Sequence, residues 1–457
     1  MRCNFEKMKQ IAFFLLLLLS AACVRQPETR GPAPTTQQLE WQQMETYAFI
    51  HFGLNTFNDM EWGYGNTPAE TFNPTDLDCE QWVLTLKACG MKGVILTAKH
   101  HDGFCLWPTE TTDYSVKNTP YKNGEGDVVG ELCDACRKHG LKFGVYLSPW
   151  DRHQASYGSN EYVELYHQQI QELVNHYGPF FEFWFDGANG GNGWYGGANE
   201  TRSINAKQYY QYEKARDIIW SKYPNTMIFG GIVPTIRWIG NEEGRAASTM
   251  WSSYTLDFND LNNTRLLASG IPNGDVWLPA EVDVSIRPGW FYHDNEQPKS
   301  LEQLLDIYYH SVGRNANLLL NFPVAPNGKI SAADSTRAVE WYQTIQKAFA
   351  DDLLKDCNTT TNNARSNHQE LVFNFNEPTS MSCVVLQEDI QKGQRVERFS
   401  VNYFRNGKWL PVETEEEMTT IGYKRIIRFK PVDMEKLRIR IIKAKGQAYF
   451  SKVSAYQ

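Results

Sequence analysis

Several polar side chains in this 457-residue chain stand at the ends of apolar runs, and their types can do acid–base and nucleophilic chemistry. The runs have the length and composition of buried strands. A strand-end Asp often caps the next helix, and a single His usually has a structural role. Several such residues at matching strand ends instead favour one functional site. They are His51, His100, His101, Asp102, Tyr146, Asp151 and Asp186.

Asp186 is the best candidate for a nucleophile. It ends the apolar run 180–185 and precedes Gly187, Gly190 and Gly191, so we expect its carboxylate at the mouth of an aromatic pocket beside flexible backbone. A carboxylate can attack an anomeric carbon if a second carboxyl group protonates the leaving oxygen. From these residues alone, a helix cap explains Asp186 equally well.

Strand-like and helical segments alternate along residues 39–350. Glycines follow several of the helical segments, at the position of a C-cap. Repeated βα units with almost continuously apolar strands predict a parallel sheet, and their number predicts a TIM-like (β/α)8 barrel. The strands are predicted at residues 47–52, 93–98, 142–148, 180–186, 226–230 and 317–322, and helices at 79–89, 128–139, 162–177 and 206–223.

A second domain is predicted from residue 355 to residue 457. Here short alternating runs are separated by turns, at residues 371–375, 382–387, 395–404, 424–430 and 437–442. Asn406-Gly407 lies between two of these runs and is a strong hairpin signal. The pattern predicts a C-terminal β-sandwich. It contains no clustered aromatic platform, so we expect a packing role for this domain.

The composition is that of a globular protein, with 42% hydrophobic and 21% charged residues. The net charge of −8 argues against nucleic acid or an anionic membrane surface as the main partner. The chain is long enough for a large domain and a smaller one.

The first 23 residues have the pattern of a targeting segment. Basic residues precede an apolar run at 11–19 that is too short to span a bilayer, and Ser20-Ala21-Ala22-Cys23 follows. Small residues before a cysteine resemble a bacterial lipobox, with a lipidated Cys23; the alternative is an ordinary secretory signal. Both predict an exported bacterial protein, periplasmic or anchored in the outer membrane. Residues 24–38 are rich in Pro, Thr and Gln and are predicted to be a linker.

Cys133 and Cys136 form a CxxC motif within the predicted helix 128–139. Redox or zinc chemistry would require a suitable site around them. No second pair accompanies them, so we expect two buried or half-buried thiols.

Several segments together are similar to those of a known family. In order along the chain, they resemble segments of the family 29 glycoside hydrolases, the α-L-fucosidases, over about residues 40–345. They are Phe49-Ile50-His51-Phe52-Gly53, Glu61-Trp62, Lys99-His100-His101-Asp102-Gly103-Phe104, Gly144-Val145-Tyr146, Trp184-Phe185-Asp186-Gly187 and Asn317-Leu318-Leu319-Leu320-Asn321. The resemblance implies a barrel with a C-terminal β-sandwich, cleavage of fucosylated oligosaccharides or glycans with retention of configuration, and no metal or other cofactor.

By this resemblance Asp186 is the nucleophile. The residues expected to bind the sugar are His51, Glu61, Trp62, His100, His101, Tyr146 and Trp184, and Arg287 is assigned to the same set. Imidazoles and a carboxylate can bind sugar hydroxyls in a fixed geometry, while a Trp supports the C5-methyl face.

The resemblance also gives a candidate acid/base residue. The segment 237–244, Arg-Trp-Ile-Gly-Asn-Glu-Glu-Gly, resembles the branch of the family that prefers α-1,3/1,4-linked fucose. The Glu after Asn in that segment is Glu242, so the resemblance assigns the acid/base role to it. Glu281, at another strand end, is the rival, and Glu243 is expected to be a solvated neighbour.

Three alternatives stay open at this point. The first is a sugar-binding barrel that has lost turnover. The second is a retaining glycosidase for another sugar, with Glu281 as acid/base. The third is a metal-dependent hydrolase that uses His100, His101 and Asp102; because adjacent strand residues point in opposite directions, this alternative is the weakest.

Overall fold

The computed structural model describes residues 31–256, 263–365 and 368–457. Residues 1–30, with the predicted targeting segment and Cys23, lie outside the described residues. In chain order the first domain contains α1 (Thr36–Gln42), β1 (Thr46–Ile50), α2 (Leu54–Phe57), α3 (Cys79–Ala88), β2 (Gly93–Lys99), α4 (Val128–His139), β3 (Lys142–Leu147), α5 (Asn160–His176), β4 (Phe180–Trp184), β5 (Gly191–Gly193), β6 (Glu200–Arg202), α6 (Ala206–Tyr209), α7 (Tyr212–Lys222), β7 (Met227–Phe229), β8 (Arg237–Trp238), β9 (Ser253–Tyr254), α8 (Thr264–Ser269), β10 (Val276–Trp277), β11 (Ala280–Ser285), α9 (Leu301–His310), β12 (Ala316–Asn321) and α10 (Ala332–Ala348).

Eight parallel strands form the barrel in the order β7-β4-β3-β2-β1-β12-β11-β8. The first strand pairs with the last, Thr46 opposite Leu318, and with the second, Ala48 opposite Val94. A single bridge between Phe229 and Ile236 joins the two ends of the sheet, so the barrel is nearly closed. The TIM-like barrel predicted from the sequence is thereby confirmed. Residues 230–236, which connect β7 to β8, contain no helix.

The barrel strands are apolar on both faces because both faces are covered. Along β1, Tyr47 and Phe49 belong to the cluster inside the barrel, while Ala48 and Ile50 pack in the core beneath the helices. This alternation follows from the two-residue period of a strand. It explains why the strands are near-continuous apolar runs in the sequence.

The helix α1 starts inside the predicted linker. Thr35 and Gln38 form a capping box at its N-terminus. Gln38 is buried, and its Nε2 donates to the carbonyl oxygens of Thr235 (3.1 Å) and Trp277 (2.8 Å). The first domain therefore begins before residue 39. The sequence pattern did not predict this, because a Pro/Thr/Gln-rich composition does not reveal a capping box that tertiary contacts hold in place.

The predicted helix 206–223 is two helices. Gln211 between α6 and α7 has a φ of 50°, a conformation that interrupts a right-handed helix. Tyr210 beside it is buried and shares a hydrogen bond of 2.7 Å with the Tyr157 hydroxyl. By contrast, α4 has the predicted bounds and ends at Gly140 in the left-handed conformation. Cys133 and Cys136 on this helix are buried free thiols, as expected.

The second domain consists of antiparallel strands. They are β13 (Asn358–Arg365), β14 (His368–Glu388), β15 (Val396–Arg405), β16 (Lys408–Pro411), β17 (Arg425–Ala444) and β18 (Phe450–Tyr456). Their order is β13-β14-β17-β15-β16, and β18 also pairs with β14, at residues 383–388. The strands enclose their own apolar core, which is consistent with the predicted β-sandwich.

Two pairs of predicted strands are single long strands. Residues 371–375 and 382–387 both belong to β14, and residues 424–430 and 437–442 both belong to β17. The breaks in the sequence pattern correspond to register shifts between Asn374 and Thr379 and between Met381 and Cys383. Such bulges bend a strand without ending it. Asn406 and Gly407, with φ of 51° and 75°, form the predicted hairpin turn.

Short 3₁₀ helices in the described part of the chain are Ala69–Thr71, Val116–Asn118, Tyr121–Gly124, Tyr195–Gly197 and Ile390–Lys392. Among the described residues, no helix is long and apolar enough to cross a membrane.

Candidate active site

A cavity of about 710 Å³ opens at the carboxyl ends of the barrel strands. This is the end at which (β/α)8 enzymes place their functional groups. Nine residues predicted from the sequence line it: His51, Glu61, Trp62, His100, His101, Tyr146, Trp184, Asp186 and Glu242. The structure therefore brings together residues that are spread over nearly 200 positions of the chain.

Asp186 follows β4 and is held by its neighbours. The Tyr146 hydroxyl donates to Oδ2 at 2.9 Å, and the backbone N–H of Ala188 donates to Oδ1 at 2.6 Å. His101 Nε2 lies 3.9 Å from Oδ2. Both carboxylate oxygens thus have a partner, while the side chain keeps 23% of its surface exposed towards the cavity. The carboxylate is oriented and accessible, which a nucleophile requires.

His101 presents an acceptor nitrogen to the cavity. The Ser148 hydroxyl donates to the carbonyl oxygen of Trp150 at 2.7 Å, so it must accept from His101 Nδ1 at 2.7 Å. Nε2 then carries the lone pair of the neutral ring. Burial lowers the pKa of His101, although the charge of Asp186 opposes this effect.

His51 has the same tautomer for a different reason. The Asn321 amide nitrogen donates to Ser285 Oγ and to the Trp290 carbonyl, so the amide oxygen of Asn321 faces His51. This oxygen accepts from His51 Nδ1 at 2.8 Å, which leaves Nε2 as an acceptor. Burial lowers the pKa of His51 to about 3.

His100 has the opposite tautomer. The Asn55 oxygen accepts from the Gly63 N–H, so its nitrogen faces His100 Nδ1 at 3.4 Å and donates to it. Nε2 of His100 therefore carries the proton. Burial, together with the neighbouring histidines and Arg152, lowers its pKa well below the ordinary value. Three neutral imidazoles, two accepting and one donating, suit a neutral ligand with several hydroxyl groups.

Glu61 and Trp62 form the rim of the cavity. Glu61 accepts from the backbone N–H groups of Trp290 (2.9 Å) and Phe291 (3.1 Å) and from His293 Nε2 (2.8 Å). These bonds join the loop after β1 to the loop after β11. The Trp62 ring is half exposed and stands edge-on to His101, with 5.0 Å between ring centroids.

Trp184 forms part of the cavity floor. Its ring stacks on Phe229 with 3.9 Å between centroids, and its Nε1 donates to Glu281 Oε1 at 2.8 Å. Glu281 also accepts from the Tyr47 hydroxyl and is completely buried inside the barrel. Glu281 does not line the cavity, so it is badly placed for the acid/base role in which it was the rival of Glu242.

Glu242 stands at the rim, with one side open to solvent and the other against the cavity wall. Desolvation by that wall raises its pKa, the indole N–H of Trp290 at 3.2 Å opposes the shift, and the charges of Asp186 and Glu61 add to it. A raised pKa lets a carboxyl group keep its proton to higher pH, which suits it to donate that proton. Glu243 is exposed and lies outside the set of cavity residues, as expected.

Arg287 does not line the cavity. Its guanidinium is buried and pairs with Asp334 on α10 at 2.9 Å, and it also donates to the carbonyl oxygens of His293 and Glu296. All these contacts hold the loop after β11, so Arg287 supports the wall. The sequence could not indicate this, because its carboxylate partner is 47 residues away in the chain.

Asp283, Trp238 and Trp290 line the cavity and were not predicted. Asp283 is buried, and its Oδ1 accepts from Trp238 Nε1 at 2.7 Å. Burial, together with the charges of Glu242 and Glu281, raises its pKa well above the ordinary value. One pattern could have revealed Asp283: it lies two residues after Glu281, on the same inward face of β11.

Within the described ranges, no group of three or more His, Cys, Asp and Glu side chains is arranged to hold a metal ion. Asp102, the third member of the metal alternative, is buried and is absent from the cavity lining. Four carboxyl groups line this cavity, among them Asp186 and Glu242, and together with the imidazoles at the strand ends they form the kind of site found in glycoside hydrolases.

Comparisons with known proteins identify the family. The family model described as Alpha-L-fucosidase matches residues 31–341, and the F5/8 type C domain matches residues 330–454. Alpha-L-fucosidase 1 of Arabidopsis thaliana is 38% identical over 93% of this chain and 87% of its own length. The chain belongs to the α-L-fucosidase family of glycoside hydrolases.

Solved structures agree with this assignment. A glycoside hydrolase 29 family member from an unknown rumen bacterium is 48% identical, with a TM-score of 0.91 over 94% of this chain and 78% of its own. A Ruminococcus gnavus family 29 fucosidase, solved in complex with fucose, is 33% identical, with a TM-score of 0.85 over 95% and 96% of the two chains.

Proposed function

We propose that this α-L-fucosidase is a retaining exo-enzyme in which Asp186 is the nucleophile and Glu242 is the acid/base. One observation carries the proposal: the two carboxyl groups share one cavity but have different environments. Asp186 is oriented by two hydrogen-bond donors. Glu242 has a raised pKa, to which burial and the charge of Asp186 contribute. Such a difference between neighbouring carboxyl groups is what separates a nucleophile from an acid.

The reaction then has two steps. Asp186 Oδ attacks the anomeric carbon while Glu242 gives its proton to the glycosidic oxygen, so the C–O bond to the leaving group breaks and a fucosyl–enzyme ester forms. Glu242, now ionised, takes a proton from water. That water attacks the anomeric carbon and releases Asp186, and two inversions give retention.

The substrate proposal rests on the polar pattern of the pocket. Two accepting and one donating imidazole nitrogens can bind the ring hydroxyls of a neutral sugar, and Trp62 and Trp184 supply apolar faces for its C–H and methyl groups. The Ruminococcus gnavus fucosidase, solved with fucose, supports L-fucose as that sugar.

We further propose a preference for α-1,3/1,4-linked fucose. It is supported by the segment that carries Glu242, which resembles the branch of the family with that preference. The exposed rim position of Glu242 also suits a leaving group that is itself a sugar, because the leaving oxygen must reach the acid from the solvent side.

The test is product analysis on a Lewis-type trisaccharide and a matched α-1,2-fucosylated trisaccharide. NMR during hydrolysis should show that α-L-fucose is the first anomer released. It should be released from the Lewis-type substrate in preference to the α-1,2-linked one. Asp186→Ala should lose turnover and, with azide, give β-fucosyl azide, since azide then attacks directly from the nucleophile's face. Release of β-L-fucose by the wild type, or near-normal turnover by Asp186→Ala, would exclude the mechanism.

For location, we propose an exported lipoprotein anchored through Cys23. The proposal is supported by the basic residues, the apolar run and the small residues that precede Cys23. Cys23→Ser should move the protein from the membrane fraction to the soluble fraction, because acyl chains provide the anchor. An unchanged membrane fraction would exclude lipidation at this residue.

A further inference from the structure

The segment that follows Glu242 is held mainly by groups far away in the sequence. We call residues 242–252 the acid/base loop; it contains neither helix nor strand. Backbone groups of an irregular buried segment need partners outside the segment. The Ala246 N–H donates to the carbonyl oxygen of His310 on α9 at 2.8 Å. Much of the remainder of the loop is bound by the β-sandwich.

The β-sandwich binds the end of the loop directly. Gln394 accepts from the Ser252 N–H and donates to the Met250 carbonyl oxygen, both at 2.8 Å. Thr420 Oγ1 accepts from the Met250 N–H at 2.8 Å. The loop is therefore fixed at residues 250–252 by the second domain.

The middle of the loop is held by two arginines. Arg314 Nη1 donates to the carbonyl oxygen of Ala246 at 3.1 Å, and Arg425 Nη1 donates to that of Ser248 at 2.9 Å. Arg314 belongs to the barrel and Arg425 to the β-sandwich. Both arginines therefore hydrogen-bond backbone carbonyl groups that lie within six residues of Glu242.

Glu416 binds both arginines. Its carboxylate accepts from Arg314 Nη2 at 3.0 Å and from Arg425 Nη2 at 3.2 Å, and His310 Nε2 lies 3.6 Å from it. The side chain of Glu416 is 11% exposed and that of Arg425 is 1% exposed. A planar guanidinium in a shared, buried ion pair has a fixed orientation, so Glu416 sets the direction of both arginine contacts with the loop.

We propose that Glu416 is a positioning residue for the general acid. Through Arg314 and Arg425 it fixes the acid/base loop and hence the place of Glu242 relative to Asp186. The β-sandwich then takes part in the reaction by holding one side of the active site. This inference rests on the proposed role of Glu242.

The test compares two fucosyl donors that differ in their need for an acid. A Lewis-type trisaccharide has a poor leaving group and needs the proton, whereas α-L-fucosyl fluoride leaves without it. In Glu416→Gln we expect kcat/KM for the trisaccharide to fall at least about tenfold and that for the fluoride to stay within about twofold. The basic limb of the trisaccharide pH profile should also shift. Glu415→Gln, an exposed neighbour, is the matched control and should match the wild type.

A second variant keeps the test valid if Glu416→Gln folds poorly. Thr419 Oγ1 donates to the Ser248 carbonyl oxygen at 2.8 Å, and Thr419→Val removes that bond while keeping the shape. It should show the same selective loss, with faster hydrogen exchange in residues 242–252.

The outcomes separate the two proposals. Equal losses on both donors in Glu416→Gln and Thr419→Val would overturn the positioning role and leave the proposed function intact. A Glu242→Ala enzyme that does not discriminate between the donors would overturn the acid/base assignment, and the positioning role with it.

Discussion

His100 and His101 are neighbours in the chain but have opposite hydrogen-bonding roles in the cavity. Asn55 donates to His100, whereas Ser148 accepts from His101. The centroids of the two imidazole rings are 4.1 Å apart, so the two rings cannot both be positively charged in a buried site. The surrounding side chains thus decide both the protonation of each ring and whether its free nitrogen can donate or accept a hydrogen bond in the cavity.

At the residue scale, we predict that the Glu242→Ala enzyme loses activity on natural substrates selectively. Hydrolysis of a fucosylated oligosaccharide should fall by at least about a hundredfold, while an activated fucoside should keep much more of its rate. Because the pKa of Glu242 is raised and the acid must be protonated, wild-type activity should fall as pH rises through that pKa, and this basic limb should flatten in the variant.

Azide provides the control for this variant. It should accelerate Glu242→Ala and give α-fucosyl azide, because it attacks the fucosyl–enzyme without base assistance. The same rescue in Glu281→Ala, with α-fucosyl azide as the product, would return the acid role to Glu281.

Asp102 gives a prediction about stability. Burial, reinforced by Asp151 and opposed by the backbone N–H of Phe104, raises its pKa from 3.8 to about 7. A raised carboxyl pKa contributes stability that is present below pH 4 and is lost as pH rises through 7. Relative to the wild type, Asp102→Asn should therefore gain up to about 4 kcal/mol between pH 4 and pH 7.5.

Urea unfolding at several pH values measures this difference. Asp134→Asn, at an exposed position on α4, is the control and should change little with pH relative to the wild type. If the difference in the free energy of unfolding between Asp102→Asn and the wild type did not change with pH, Asp102 would be ionised in the folded protein.

At the scale of elements, α1 closes the bottom of the barrel. Gln38 binds the backbone at Thr235 and Trp277, and Trp41 Nε1 donates to Glu182 inside the barrel at 2.8 Å. The helix is short, so its stability comes from these contacts.

We predict that Gln38→Leu destabilises the protein by about 1–3 kcal/mol, because one buried and one partly buried carbonyl oxygen lose their donor. Gln37→Leu is the control: this half-buried side chain of the same helix makes a solvent-exposed hydrogen bond to Asn225, so the free energy of unfolding should change by less than about 0.5 kcal/mol. Urea unfolding of both variants measures this. Equal changes in the free energy of unfolding for the two variants would show that the Gln38 hydrogen bonds do not stabilise the protein.

For the whole molecule, the two domains share buried polar contacts beyond the acid/base loop. The Asn315 N–H donates to the Lys424 carbonyl oxygen at 2.9 Å, and the Tyr423 N–H donates to Asn315 Oδ1 at 2.7 Å. Separating the domains would leave such groups without partners.

We therefore predict a single unfolding transition for the full chain. Calorimetry should give one peak, and a fragment of residues 31–350 should aggregate or melt more than about 5 °C lower. Two well-separated peaks, or a fragment as stable as the full chain, would contradict this coupling.

The barrel could be predicted from the sequence because its pattern is local. Apolar runs of strand length, helices between them and polar residues at the strand ends depend only on neighbouring residues. The strand-end rule then gave His51, His100, His101, Tyr146 and Asp186, since parallel strands bring their carboxyl ends to one edge. It also gave Asp102 and Asp151, which are buried and do not line the cavity. The resemblance to a family added Glu61, Trp62, Trp184 and Glu242.

Other features depended on contacts that no local pattern encodes. Arg287 is paired with Asp334, Glu281 is buried below the cavity floor, and the first helix begins at Thr36 because Gln38 binds residues about 200 and 240 positions later. The loop that carries Glu242 is likewise fixed by Glu416, over 170 residues further along the chain. Residue types and their periods determine which elements form, but partners for buried polar groups are chosen only when the whole chain has folded.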